Sequence, residues 1–208
     1  RWWWVRHAPV VNHNGKIYGQ GDIDCDVSDI RSFEGLAAKL PSGAVWLTSH
    51  LSRTIKTANA ILQARGATSA NLEELITEND LAEQNFGDWQ NSSWDDLHAT
   101  GGSDYKAFWK NPGYEAPPGG ESFVDLTIRT SSVIERLNNS YPGRDIVAVA
   151  HGGTIRAAIA LALKLDPVMA LSITVANLTL SRLDFVSDGL YRGQGGFWRI
   201  EGINLPPV

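Results

Sequence analysis

Apolar residues are spaced along this chain in two rhythms. Trp2–Val5, Ala44–Leu47 and Ile146–Ala150 are short unbroken apolar runs, the pattern of strands buried on both faces. Between them the apolar positions recur at helical spacing, as with Ile55, Ala58, Ile61 and Leu62 in the stretch from Arg53 to Arg65, which Gly66 is placed to stop. A first helix is expected from about Asp29 to Leu40, capped by Ser28 and closed by Pro41-Ser42-Gly43, and another from about Ser122 to Asn138. Gly152-Gly153 opens an alanine-rich helix to about Leu165. Shorter strands are expected around Ser172–Val175, Leu178–Val186 and Phe197–Ile200.

The rhythm breaks between Asn85 and Glu121. There Trp89, Trp94, Tyr105, Phe108, Trp109 and Tyr114 are scattered among Gly, Pro, Asn and Ser, which reads as a lid-like aromatic insertion at about 85–121 with short helices. Outside it, strands alternate with helices. That order predicts a single domain over 1–208 with an α/β fold, a three-layer α/β/α sandwich around a mostly parallel central sheet. In such sheets ligands bind beyond the carboxyl ends of the strands. Arg6, His7 and His151 would converge there, and Arg53 follows its strand closely enough to join them.

Composition narrows the partners. The 208 residues suffice for one substantial core, and the net charge of −5 argues against nucleic acid held by a broad basic surface. An anionic ligand must therefore meet a local cationic pocket. No apolar run reaches the length of a membrane span, so no membrane partner is expected and the cytoplasm is the default location. The single cysteine, Cys25, has no zinc-ligand spacing around it and reads as structural. Neither a metal nor a cofactor is expected. A homodimer is left open.

Each polar residue has a bland explanation when taken alone. A histidine at a strand end is more often structural than catalytic, an arginine at a helix start is usually a surface charge, and Gly-Gly is usually a turn. Together, two histidines and two arginines on one rim, with helix-start amides at Gly152-Gly153, make a site for a phosphate dianion.

At these residues the chain resembles the histidine phosphatase superfamily, which includes cofactor-dependent phosphoglycerate mutases and α-ribazole phosphatases. Arg6-His7-Ala8 resembles the family's Arg-His-Gly signature, and Ser49-His50-Leu51-Ser52-Arg53 through Thr57-Ala58 resembles its serine-to-arginine stretch. Glu83-Gln84-Asn85-Phe86-Gly87-Asp88-Trp89 resembles the acid-bearing segment, and His151-Gly152-Gly153-Thr154-Ile155-Arg156 the second histidine motif. Pro118-Gly119-Gly120-Glu121-Ser122 and Asn177-Leu178-Thr179-Leu180 extend the likeness over nearly the whole chain.

The resemblance implies a metal-independent phosphomonoester hydrolase of the histidine acid phosphatase type, acting on a small phosphorylated metabolite. His7 would be the nucleophile, Glu83 the general acid, and Arg6, Arg53, His151 and Gly152 the phosphate site. Imidazole attacks phosphorus only when neutral, and flanking cations oppose its protonation. Glu73, Glu74, Glu78 and Asp80 lie near Glu83, but the following Phe-Gly-x-Trp favours Glu83. Arg156 is expected to make a structural ion pair, and His50 and His98 no chemistry.

Where the family has Gly, a hydroxyl residue and Asn, this chain has Ala8, Val10 and His13, so His13, Asn12 or Asn14 would complete the phosphate pocket. Pro9-Val10 and Tyr18-Gly19-Gln20-Gly21-Asp22 are more similar to α-ribazole phosphatases than to mutases. The alternatives are a phosphoglycerate mutase-type phosphotransferase and a non-catalytic phosphate-binding regulatory protein.

Overall fold

The computed structural model describes residues 1–66, 74–191, 194 and 196–208. Among them one sheet is built from β1 (Trp2–Arg6), β2 (Val45–Thr48), β3 (Leu75–Thr77), β4 (Ile146–Ala150), β5 (Leu180–Phe185) and β6 (Trp198–Leu205), in the order β3-β2-β4-β1-β5-β6. The first four run parallel, while β5 and β6 are antiparallel additions beside β1. Helices are α1 (Ile30–Lys39), α2 (Ser52–Ala64), α3 (Trp94–Thr100), α4 (Gly102–Lys110), α5 (Phe123–Ser140), α6 (Gly152–Leu163) and α7 (Pro167–Leu171).

The pleat of β4 shows why its apolar run has no polar gaps. Ile146, Ala148 and Ala150 join a core with Val133, Ile134 and Leu137 of α5 and Ile155, Ala158 and Ile159 of α6. Val147 and Val149 face the other way, onto Phe33 and Leu36 of α1 and Ala58, Ile61 and Leu62 of α2. Each such branched side chain, fully buried, stabilises the fold by about 1.5–3 kcal/mol. Two helical layers on one two-faced sheet are the expected three-layer sandwich.

Two local expectations are corrected. The cap of α1 is Asp29, whose carboxylate accepts the Ser32 amide at 3.2 Å and the Ser32 hydroxyl at 2.6 Å, while the Ser28 amide turns back to Asp26. Ser172–Val175 is not a strand. It follows α7, which Asp166 caps and Pro167 begins, and its backbone is bonded elsewhere: the Ile173 carbonyl accepts from Arg156 and the Val175 carbonyl from Arg6.

A 3-10 turn at Asn79–Leu81 precedes the aromatic middle, which begins with a second 3-10 turn at Gly87–Trp89 followed by α3 and α4. Ile17, Trp89, Leu97 and Phe108 are its buried centre, with Phe86, Trp94 and Tyr105 packed around them. Among the described residues no helix is long and apolar enough to cross a membrane.

Candidate active site

Each parallel strand delivers one part of the site from its carboxyl end. His7 follows β1, Ser49 and Arg53 follow β2, Glu83 lies beyond β3, and His151 ends β4. Because β1 and β4 are neighbours with Arg6 opposite Ala150, the two histidines emerge side by side, ring centroids 5.2 Å apart.

His7 is held on three sides. Its amide donates to the Ala150 carbonyl at 3.0 Å, its carbonyl accepts Asn177 Nδ2 at 2.8 Å, and its Nδ1 lies 2.7 Å from the Ala8 carbonyl. A carbonyl only accepts, so Nδ1 carries the proton and Nε2 keeps its lone pair. That Nε2 is buried with no hydrogen-bond partner among the described residues. Burial pushes the His7 pKa down to about 3; the Ala8 carbonyl opposes this, and the charges of Arg53 and Arg6 reinforce it. The result is a neutral imidazole with one free nitrogen.

The fully buried His151 has both nitrogens engaged. Arg53 Nε donates to Nδ1 at 3.3 Å, so Nε2 bears the proton and donates to Ser49 Oγ at 2.8 Å. Ser49 is fixed in turn by the Leu51 amide and by Thr54. Burial, then the His7 ring and nearby Arg53, holds the His151 pKa well below the usual imidazole range. Without a ligand it is therefore hydrogen-bonded and neutral.

Arg53, at the start of α2, is buried and braced by the loop after His13. Its Nη1 donates to the Gly21 carbonyl at 2.8 Å, its Nη2 to Gly19 at 2.7 Å, and its guanidinium lies over the Tyr18 ring. Two N–H donors of its five remain. Arg6 donates through Nη1 to the Val175 carbonyl at 2.6 Å, while its Nε is buried without a partner among the described residues. A Cβ on Gly152 would sit 3.5 Å from that guanidinium, so Arg6 lies directly against the start of α6.

Glu83 reaches the same helix end. Its Oε1 accepts the amides of Gly153 and Gln84, both at 3.0 Å, and its Oε2 that of Gly153 at 3.2 Å. Its neighbours are otherwise occupied or turned away: Glu78 pairs with Arg136, and Glu74 and Asp80 are exposed. Glu73 lies outside the described residues.

His7, His151, Arg6, Arg53, Gly152 and Glu83 are thus brought together, and the remaining candidates are not. His13 accepts the Gly15 amide and touches Tyr18, standing one ring removed from His7. Asn12 and Asn14 are exposed at positive φ, the turn positions that asparagine tolerates. His50 and His98 are exposed. Arg156 is in none of the ion pairs among the described residues, contrary to expectation. Its Nε donates to the Ile173 carbonyl and its guanidinium lines a cleft with Glu83. Cys25 is buried against the Arg53 carbonyl. No group of three or more His, Cys, Asp or Glu among the described residues could hold a metal ion.

Sequence reasoning passed over several supporting residues. Thr57 accepts the Ala8 amide at 2.9 Å and donates to Arg53 O at 2.7 Å, tying the two motifs together. Arg129 donates to the carbonyls of Asp80, Ala82 and Glu83 and pairs with Glu121 at 2.6 Å, anchoring the segment that carries Glu83. Nothing local in the sequence distinguishes Arg129 from a surface charge on α5.

The family model of the histidine phosphatase superfamily (branch 1) matches residues 2–192. Phosphoglycerate mutase-like protein 4 of Arabidopsis thaliana is 31% identical over 186 residues, which are 84% of this chain and 77% of that protein. Among solved structures, the α-ribazole phosphatase of Shigella flexneri is similar in fold, with a TM-score of 0.81 at 22% identity over 98% of this chain and 95% of that one. A mycobacterial glucosyl-3-phosphoglycerate phosphatase in complex with VO3 gives a TM-score of 0.78 at 25% identity, covering 98% of each chain.

Proposed function

The chain belongs to the histidine phosphatase superfamily, and from that premise we propose that it is a metal-independent phosphomonoester hydrolase that passes the phosphoryl group through His7 Nε2. The observation that carries this reading is the buried Nε2 without a partner, next to a proton-bearing Nδ1 pinned to a carbonyl. Its neighbour His151, by contrast, has both nitrogens engaged and no lone pair to offer phosphorus.

In the first step the Nε2 lone pair forms the N–P bond as the ester P–O bond breaks, and the departing oxygen takes a proton from Glu83. Arg6 and the remaining donors of Arg53 stabilise charge on the transferring oxygens, with the first-turn amide of Gly152 available beside them. His151 donates through Nδ1 only after taking up a second proton. A bound phosphate dianion favours that by placing negative charge next to the ring. In the second step water attacks phosphorus, Glu83 takes its proton, the N–P bond breaks, and His7 is restored neutral.

The likeness to the α-ribazole phosphatase supports the fold, and α-ribazole phosphate joins the substrate panel as one candidate among phosphorylated metabolites. The decisive experiment is rapid acid-free quenching with a ³²P-labelled monoester. It should trap an acid-labile, base-stable phosphoenzyme in the wild type and none in His7→Ala, with turnover unaffected by a chelator. Labelling retained in His7→Ala, or phosphate binding with no turnover of any ester, would overturn the proposal; the second result would point to a regulatory phosphate-binding protein.

A further inference from the structure

Beside Glu83 a cleft of about 590 Å³ opens toward the aromatic middle, within the range of small-molecule sites. Because Glu83 protonates the departing oxygen in the proposed reaction, whatever that oxygen is bonded to must occupy this space. Its walls are Phe86, Trp94, Phe108, Trp109, Phe123 and Leu171. The polar lining is sparse. Gln84 already donates to the Glu121 carbonyl, and Arg156 already donates through Nε to Ile173. A polyhydroxylated leaving group would lose water here and find few partners in return.

The aromatics are of two kinds. Trp89 is 5% exposed and forms the centre of the small core that holds α3 and α4 together. Trp109 is 51% exposed, although it touches Trp94 and Phe108 edge-on, with centroids 5.4 Å away in each case. The local core is complete without it. An exposed indole on the rim of an apolar cleft beside the proton donor is a surface for a ring to stack on.

We propose, resting on the phosphohistidine reading above, that the group released from phosphate is a flat aromatic one, received between Trp94, Phe108 and Trp109, with Arg156 meeting a polar substituent at the Glu83 end. Aryl esters would test this poorly, because a phenolate leaves more readily whatever the pocket does. The comparison therefore uses primary-alcohol esters, 2-(1-naphthyl)ethyl phosphate against glucose 6-phosphate, with kcat/KM as the readout.

The naphthyl ester is expected to be preferred by at least about tenfold, and Trp109→Ala to shrink that ratio by about tenfold, the scale of one good aromatic contact. Trp109→Phe should restore part of it, which separates lost stacking from a disturbed lid. Equal kcat/KM for the two wild-type reactions, or a ratio unmoved in Trp109→Ala, would overturn the inference while the phosphoenzyme still forms. Failure of both esters to form phosphoenzyme would instead sink the underlying reading.

Discussion

A histidine buried among cations keeps its lone pair at a cost to stability in acid. In the unfolded chain the His7 imidazole takes its proton near pH 6.5, and in the fold near 3. Between those values the unfolded state binds more protons, so stability falls as pH falls through that window and this group adds no further loss below about pH 3. His151, also depressed, acts in the same direction. Replacing His7 by Asn should therefore lessen the fall by up to about 1.4 kcal/mol per pH unit. Urea unfolding of both proteins from pH 7 to 4.5 measures this; a wild-type minus variant difference flat with pH would mean that His7 titrates alike folded and unfolded. A second residue-scale test concerns Glu83. A Cβ at Gly153 would lie within 2.3 Å of Glu83 Oε1, the movable end of a side chain. Gly153→Ala should thus fold and still bind inorganic phosphate while kcat drops by about 10²-fold, the scale of a general acid's contribution. An unchanged kcat would show that Glu83 need not sit on that amide.

At the scale of elements, the legible parts were those that physics makes periodic. The parallel strands with unbroken apolar runs and the amphipathic helices between them are visible because burial on one or both faces leaves a repeating mark. Ser122 was legible as a helix start and forms a capping box with Asp125. What misled were choices between neighbouring polar residues. Ser28 and Asp29 are both good caps, and only the hydrogen bonds to Ser32 decide. Ser172–Val175 looks β-branched and apolar, yet its carbonyls serve Arg6 and Arg156 and no ladder forms. The base of the aromatic middle depends on a close approach with no periodic trace: Gly87 has φ +50°, and a Cβ there would come within 2.1 Å of the Pro118 carbonyl. Since backbone must move and φ is positive, Gly87→Ala should destabilise by more than the roughly 1 kcal/mol that a conformationally compatible glycine-to-alanine change gains. Chemical denaturation would register it, and a variant as stable as the wild type would refute the close contact.

For the whole molecule, the sheet order explains why distant motifs meet. Four parallel strands end at one edge, so residues from positions 6 to 153 need only be strand-end residues to become neighbours, and that much of the site could be read from the sequence. The supports could not, because their partners are remote. Arg129 on α5 reaches three carbonyls of the 80–83 segment and the Glu121 carboxylate, joining the acid-bearing loop, the end of the aromatic middle and a core helix at one guanidinium. Removing it takes one donor from each of those carbonyls, although Ala82 keeps Thr154 and Glu83 keeps Gln20, and leaves Glu121 without its cation, so Arg129→Ala should cost about 2–4 kcal/mol. The phosphate-binding residues sit at strand ends, and although the charge of Arg129 reaches His151, its hydrogen bonds among the described residues go only to Glu121 and the 80–83 carbonyls. Vanadate affinity should therefore change little while kcat falls, as the carboxylate loses its fixed position. Arg129→Lys, with one ammonium in place of a fork, should recover only part of that kcat. If vanadate affinity and kcat fell together in Arg129→Ala, the acid and the phosphate clamp would be one cooperative unit, not two parts set in place by separate strands.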